Sequence, residues 1–306
     1  MGSTYFVIQT GGEASMSGFD KDGRAFDDEG IARHIEKALA VESPSETYTK
    51  NLYRMVKWAF DPVVIGGANL PDKPCLFIGN HSLFALDGFV FLPLMMQEFG
   101  RFLRPMSDKF QWHPQTEDFL LKQGAVIGDP KVCTSLMENG KDILVFPGGA
   151  HEAVKSSAQK YQLQWKQRYG FIKLAAMNGY TIMPFSLVGP DEFYSHWVEG
   201  QDLPDTPVGG LLKKFGLLDE DTRPDLLPPI PRGSFGSLIP KPQRCFLQFG
   251  TAVDLSDSKG KELSRQKLQA IRTGISDQIE TMLGELLILR EQRRGEEGLL
   301  RRLMTI

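Results

Sequence analysis

Residues Pro74–Gly88, PCLFIGNHSLFALDG, decide how this chain is read. The run Cys75-Leu76-Phe77-Ile78 is short and wholly apolar, as expected of a strand buried on both faces of a parallel sheet. Gly79-Asn80 breaks it, His81 follows at once, and Asp87 comes six residues later. In open α/β sheets the crevice lies just past the carboxyl ends of the strands, and reactive side chains gather there. A histidine at that position, with a carboxylate to fix its tautomer, is a general-base arrangement. Positions 81 and 87 do not share a helix face, so a contact between them requires a loop or a bent helix start. The same residues also fit an ordinary strand-to-helix loop with a structural histidine.

The totals bound the alternatives. A chain of 306 residues allows one large α/β domain or two smaller ones. Net charge is −3, which gives no electrostatic case for nucleic acid as a partner. Cys75, Cys133 and Cys245 lie far apart with no C-x-x-C pair, so reduced thiols are expected, with neither a disulfide framework nor zinc. The start, MGSTYFVIQTGGEAS, lacks a basic segment followed by an apolar core, and is read as carrying no signal peptide. The most apolar window, Phe89–Met96, falls well short of the ~20 residues that span a bilayer. The sequence is therefore read as soluble or peripheral.

Outward from the central stretch, strand and helix patterns alternate. Residues 1–28 are glycine-rich, charged and aperiodic, and are expected to be loop or disordered. Gly30–Val41 reads as a short helix. A second runs to about Phe60, with Ser43 as cap, Pro44 at the first position and Glu46 three residues on. Leu52, Met55, Val56, Ala59 and Phe60 give that helix an apolar face, for core packing or for resting on a membrane. Beyond the central strand, helices are expected over Leu86–Glu98, Pro114–Gln123, Pro130–Asn139 and Gln162–Asn178. Strands are expected over Arg101–Ser107, Ala125–Gly128, Asp142–Phe146, Thr181–Leu187 and Cys245–Gly250, and a long helix over Glu262–Arg290. The alternation predicts an α/β fold: a mostly parallel central sheet flanked by helices, with an N-terminal helical pair. Residues 1–60 form the N-terminal loop and helical pair, 61–290 the main domain, and 291–306 a basic amphipathic tail. Within the domain, 199–243 is rich in proline and glycine, an excursion suited to a lid or channel wall. The tail is either a frayed surface helix or a membrane foot.

A second constellation is Phe146–Glu152, FPGGAHE. Two glycines after a strand let backbone N–H groups approach an anion or a developing oxyanion. His151-Glu152 is not a zinc helix, because Lys155 stands where H-E-x-x-H needs its second histidine. No G-x-S-x-G elbow or phosphate-binding P-loop is present in the sequence. His34, His113 and His196 have no partner at motif spacing and are read as structural or surface residues.

GNHSLFALDG, then ILVFPGGAHEAV about sixty residues on, then TIMPFSLVG after one further helix, resembles the glycerolipid acyltransferase superfamily, over roughly Leu52–Leu255. The resemblance implies transfer of a fatty acyl group from acyl-CoA or acyl carrier protein, as co-substrate and with no other cofactor, to a lipid hydroxyl. It implies His81 as base and Asp87 as its orienting partner. Gly148, Gly149, His151 and Glu152 become the glycine-rich substrate block, and Pro184 part of the strand that shapes the acyl pocket. Two departures narrow the branch. Five residues separate His81 from Asp87, where common members have four. The phosphate-binding form of the block reads F-P-E-G-T-R-S, and its glutamate and arginine are replaced here by Gly148 and His151. The pattern is closer to the diacylglycerol-acyltransferase-like and phytyl-ester-synthase-like branch. A neutral lipid acceptor is expected first and a lysophospholipid second, since a phosphate wants a cationic partner. The implied setting is the cytoplasmic face of a membrane, with the membrane surface as a peripheral partner. The rival readings are a lipid esterase or thioesterase, and a non-catalytic membrane lipid-binding protein.

Overall fold

The computed structural model describes residues 26–305, apart from 217, 219–222, 224 and 225; the expectation of loop or disorder over 1–28 lies mostly outside them. Helix α1 (Asp28–Ala40) is capped by Asp27, whose carboxylate accepts the Gly30 N–H at 2.7 Å. Helix α2 (Glu46–Phe60) is capped by Ser45, not Ser43; the Ser45 hydroxyl accepts the Tyr48 N–H at 3.3 Å. Pro44 thus stands just outside the helix.

The strands are, in chain order, β1 (Val63–Ile65), β2 (Cys75–Ile78), β3 (Arg104–Ser107), β4 (Val126–Ile127), β5 (Ile143–Val145), β6 (Thr181–Val188), β7 (Ser195–Val198), β8 (Ile230–Arg232) and β9 (Phe246–Phe249). Seven of them form one sheet in the order β1-β9-β6-β2-β5-β3-β4. Every neighbouring pair is parallel except β6 and β9. β7 and β8 make a separate antiparallel ribbon. The helices between and after the strands are α3 (Leu86–Phe99), α4 (Glu117–Lys122), α5 (Pro130–Glu138), α6 (Ala150–Ala153), α7 (Gly170–Asn178), α8 (Pro207–Lys214), α9 (Arg265–Arg293) and α10 (Leu299–Met304).

β2 occupies the middle of the sheet, and its four residues alternate between two cores. Leu76 and Ile78 join Ile31 and Ala38 of α1, Val132 and Leu136 of α5, Ile172 of α7, and Ile275 and Ile279 of α9. Cys75 and Phe77 join Val56 and Phe60 of α2 and Val90, Phe91 and Leu94 of α3. The two N-terminal helices therefore straddle the sheet, one on each face. Burial of β2 on both sides is why its sequence is a continuous apolar run.

One further expectation needed correction. The helix expected over Gln162–Asn178 begins only at Gly170. The preceding loop has Tyr161 and Lys166 at positive φ, and its Tyr161 and Gln164 amides donate to the buried carboxylates of Asp191 and Glu152. Those acids take the backbone donors that a helix would have used. The strand expected over Thr181–Leu187 is β6, which runs unbroken through Pro184, in register with Ile78 and with its carbonyl accepting the Gly250 N–H at 2.9 Å.

Candidate active site

The parallel pairing of β2 with β5 places Ile78 beside Val145. The segments leaving the two strands, Gly79–Ser82 and Phe146–Gly149, thus emerge from the same edge of the sheet. On the other flank β6 runs on past the end of β2. There the Asn80 amide bonds both the N–H and the carbonyl of Leu187, at 2.9 and 3.0 Å, fixing the start of the loop.

His81 is 8 % exposed and Asp87 1 %, so the imidazole reaches the surface while its partner does not. His81 Nδ1 donates to Asp87 Oδ2 at 2.7 Å, which leaves Nε2 as the basic nitrogen. The six-residue spacing closes because Phe84 and Ala85, at φ 55° and 58°, turn the chain through the left-handed region before α3 begins. Two consecutive non-glycine residues there mean local strain, held by the contacts on either side. The Ser82 N–H also donates to Asp87 Oδ2 at 2.9 Å, the Ser82 hydroxyl accepts the Asp87 N–H at 2.9 Å, and the Gly88 N–H meets Asp87 Oδ1 at 2.8 Å. The carboxylate is thereby fixed in one orientation. Phe146 stacks on the imidazole, with ring centres 4.0 Å apart and planes 11° from parallel.

The glycine block lies directly behind. Glu152 is fully buried, its Oε2 accepting the His81 N–H at 3.0 Å and its Oε1 the Gln164 N–H at 2.6 Å. Burial pushes its carboxyl pKa up, against the two amide donors and the nearby Lys155. A Cβ on Gly148 would sit 2.1 Å from Glu152 Cδ, so only glycine admits the carboxylate here. Gly149 has φ 53° and its N–H closes a turn onto the Phe146 carbonyl at 3.0 Å. Arg168 donates to the Pro147 carbonyl at 2.6 Å and braces the turn from outside.

The structure brings His81, Asp87, Gly148, Gly149 and Glu152 together. His151 points elsewhere, its Nε2 2.9 Å from Lys166 Nζ on the outer side of α6. Pro184 is buried within β6, in register with Ile78. Sequence reasoning missed Asn80, Phe146, Lys155 and Asp191. Lys155 Nζ donates to the His81 carbonyl at 2.7 Å and pairs with Asp191 at 2.7 Å. Asp191 lies thirty-six residues beyond Lys155, with no motif spacing to signal it.

Residues 64–215 match the family described as diacylglycerol acyltransferase. By this match and by the relatives below, the chain is similar to the diacylglycerol-acyltransferase-like branch of the glycerolipid acyltransferase superfamily. It is 28% identical to phytyl ester synthase 1, chloroplastic, of Arabidopsis thaliana over 75% of this chain and 35% of that protein. It is 27% identical to diacylglycerol O-acyltransferase 2 of Dictyostelium discoideum over 48% of this chain and 44% of that one. The chain thus spans about a third of the length of the phytyl ester synthases it matches. A solved structure, the 1-acyl-sn-glycerophosphate acyltransferase PlsC from Thermotoga maritima, aligns with a TM-score of 0.43 and 13% identity, over 82% of this chain and 88% of that one.

Proposed function

We propose that this protein is a member of that superfamily and transfers a fatty acyl group from a thioester, of coenzyme A or acyl carrier protein, to the hydroxyl of a neutral lipid such as diacylglycerol or a long-chain alcohol. The observation that carries this reading is the 2.7 Å bond from Asp87 to a rim histidine in the first family motif. His81 Nε2 takes the acceptor's hydroxyl proton while Asp87 holds the resulting imidazolium. The alkoxide attacks the thioester carbonyl carbon, and the tetrahedral oxyanion collapses with expulsion of the thiolate. The proton on Nε2 then goes to the thiolate, and ester and thiol leave. Since the Gly149 amide is engaged within its turn, the Gly148 amide is the backbone donor we assign to the oxyanion.

Acceptor class follows from what the glycine block offers. Its carboxylate, Glu152, is buried against the His81 backbone, and its outer residue, His151, is paired with Lys166. Neither is arranged as a phosphate clamp, which favours an uncharged acceptor. Among the described residues no helix is long and apolar enough to cross a membrane. Several large apolar side chains are nevertheless exposed, including Trp58 on α2, Phe235 and Leu238 beyond β8, and Leu299 and Leu303 on α10. These support work at a membrane surface.

The test is thiol release from long-chain acyl-CoA and acyl carrier protein over a panel of alcohols, with products weighed by mass spectrometry. Ester that forms only with a neutral lipid alcohol is the expected result. Thiol released without any alcohol, and free fatty acid as the product, would point to a thioesterase instead.

A further inference from the structure

His81 is held twice: through its ring by Asp87, and through its own peptide groups from the opposite side. Its N–H donates to Glu152 at 3.0 Å and its carbonyl accepts from Lys155 Nζ at 2.7 Å. Glu152 and Lys155 stand three residues apart, on α6 and the turn that ends it, so one short segment grips both polar groups of one residue. Lys155 is deeply buried, with 2 % of its side chain exposed, and its counter-ion Asp191 has 1 %. Asp191 Oδ2 takes Lys155 at 2.7 Å and the Tyr161 N–H at 2.8 Å, while Oδ1 is buried with no hydrogen-bond partner among the described residues.

A buried ion pair is a poor source of stability, because desolvating both ions offsets most of their attraction. This pair, with an acid oxygen left over, is more readily understood as placing an ammonium where the His81 carbonyl needs it. The need is local: beyond Asn80, which is tied to Leu187, two left-handed residues follow within four positions of His81. We propose that Lys155, held by Asp191, is a positioning residue for His81, clamping the backbone from which the imidazole is aimed. The proposal rests on the acyl-transfer reading above for its kinetic consequences, but not for its structural ones. Lys155 touches neither substrate nor the reacting nitrogen; it acts through the peptide.

The test compares wild type with Lys155→Met/Asp191→Asn, which removes both charges together and keeps an acceptor for the Tyr161 N–H. The full chain is used, with saturating acyl-CoA and the preferred alcohol, and histidine-labelled protein is followed by NMR. Expected are a folded protein, kcat lower by about 10- to 100-fold, KM for the thioester unchanged, and a moved His81 ring resonance. A folded double variant with wild-type kcat and an unmoved His81 resonance would overturn the proposal. If the wild type acylates no alcohol, the functional reading fails by itself, and the NMR comparison alone decides the clamp: a moved resonance keeps it and an unmoved one ends it. If the double variant does not fold, Lys155→Arg keeps the charge for Asp191 but replaces the single ammonium with a longer planar fork. That variant is expected to lose about 10-fold in kcat at a near-normal Tm; full kcat there would likewise overturn the clamp.

Discussion

His34 and His81 are both buried, and they differ in everything that turns an imidazole into a reagent. His34, on α1, is fully enclosed, with Trp112 edge-on to its ring at 4.8 Å. Its Nε2 accepts the Ile127 N–H at 3.1 Å, so the proton sits on Nδ1, which has no partner among the described residues. It therefore serves as a backbone acceptor for β4 at the edge of the sheet. His81 sits at the centre of the sheet's carboxyl edge, gives its Nδ1 proton to a carboxylate and keeps Nε2 for whatever enters. Burial alone does not distinguish a catalytic histidine; the kind of acceptor or donor on the other nitrogen, and a path outward, do.

The largest expected effect separates the two directly. His81→Ala should lower ester formation by ~10²–10⁴-fold with little change in Tm. His34→Ala should leave turnover per folded molecule unchanged and lower stability, since it strands the Ile127 N–H and opens a cavity. Paired kinetics and thermal melts check both, and a loss of turnover in a well-folded His34 variant would erase the distinction.

The next effect is a pH dependence. Burial, aided by the charge of Lys37, depresses the His34 pKa to about 4 from 6.5. Because the folded value is the lower one, the unfolded chain takes up the proton first as pH falls. Stability is then full above pH 6.5 and declines towards pH 4, by roughly 3 kcal/mol from this group. Denaturant titrations between pH 7 and 4 should show a decline that is reduced in His34→Leu; equal slopes in the two proteins would remove the buried neutral imidazole from the account.

Gly148→Ala comes third. Its methyl group would overlap the Glu152 carboxylate, and relief requires moving the acid that holds the His81 N–H. The expected penalty is ~1–3 kcal/mol of stability, with a clear drop in kcat; an unaffected Tm would mean that the turn relaxes freely. The smallest effect is Ser82→Ala, which removes the hydroxyl bonded to the Asp87 N–H and should lower stability by about 1 kcal/mol. Turnover should fall only several-fold, because the Ser82 N–H still holds Asp87 Oδ2.

Much of this arrangement was legible in the sequence. Cys75–Ile78 reads as a buried strand because a strand covered on both faces admits no polar residue, and the observed β2 has those same ends. The α/β alternation was equally plain, since helices and strands impose different periods on apolar positions. The Gln162–Asn178 reading failed for a reason periodicity cannot contain: Glu152 and Asp191 draw backbone amides from 161 and 164 into side-chain bonds. The apolar face of α2 was half legible, with Val56 and Phe60 in the core while Met55 stands exposed.

The amino-acid order by itself determined the strand, the two glycines, the histidine and the carboxylate, because each is a local demand of backbone geometry or proton chemistry. Only the tertiary structure decided that residues 81 and 148 leave neighbouring strands at the same edge, since parallel pairing of β2 with β5 joins Ile78 to Val145, sixty-seven residues on. It also decided that His34 is inert in its core while His81 is poised at a rim, and that Lys155 and Asp191 stand behind the latter. Burial and partner are properties of the packed molecule, and a chain read one residue at a time does not carry them.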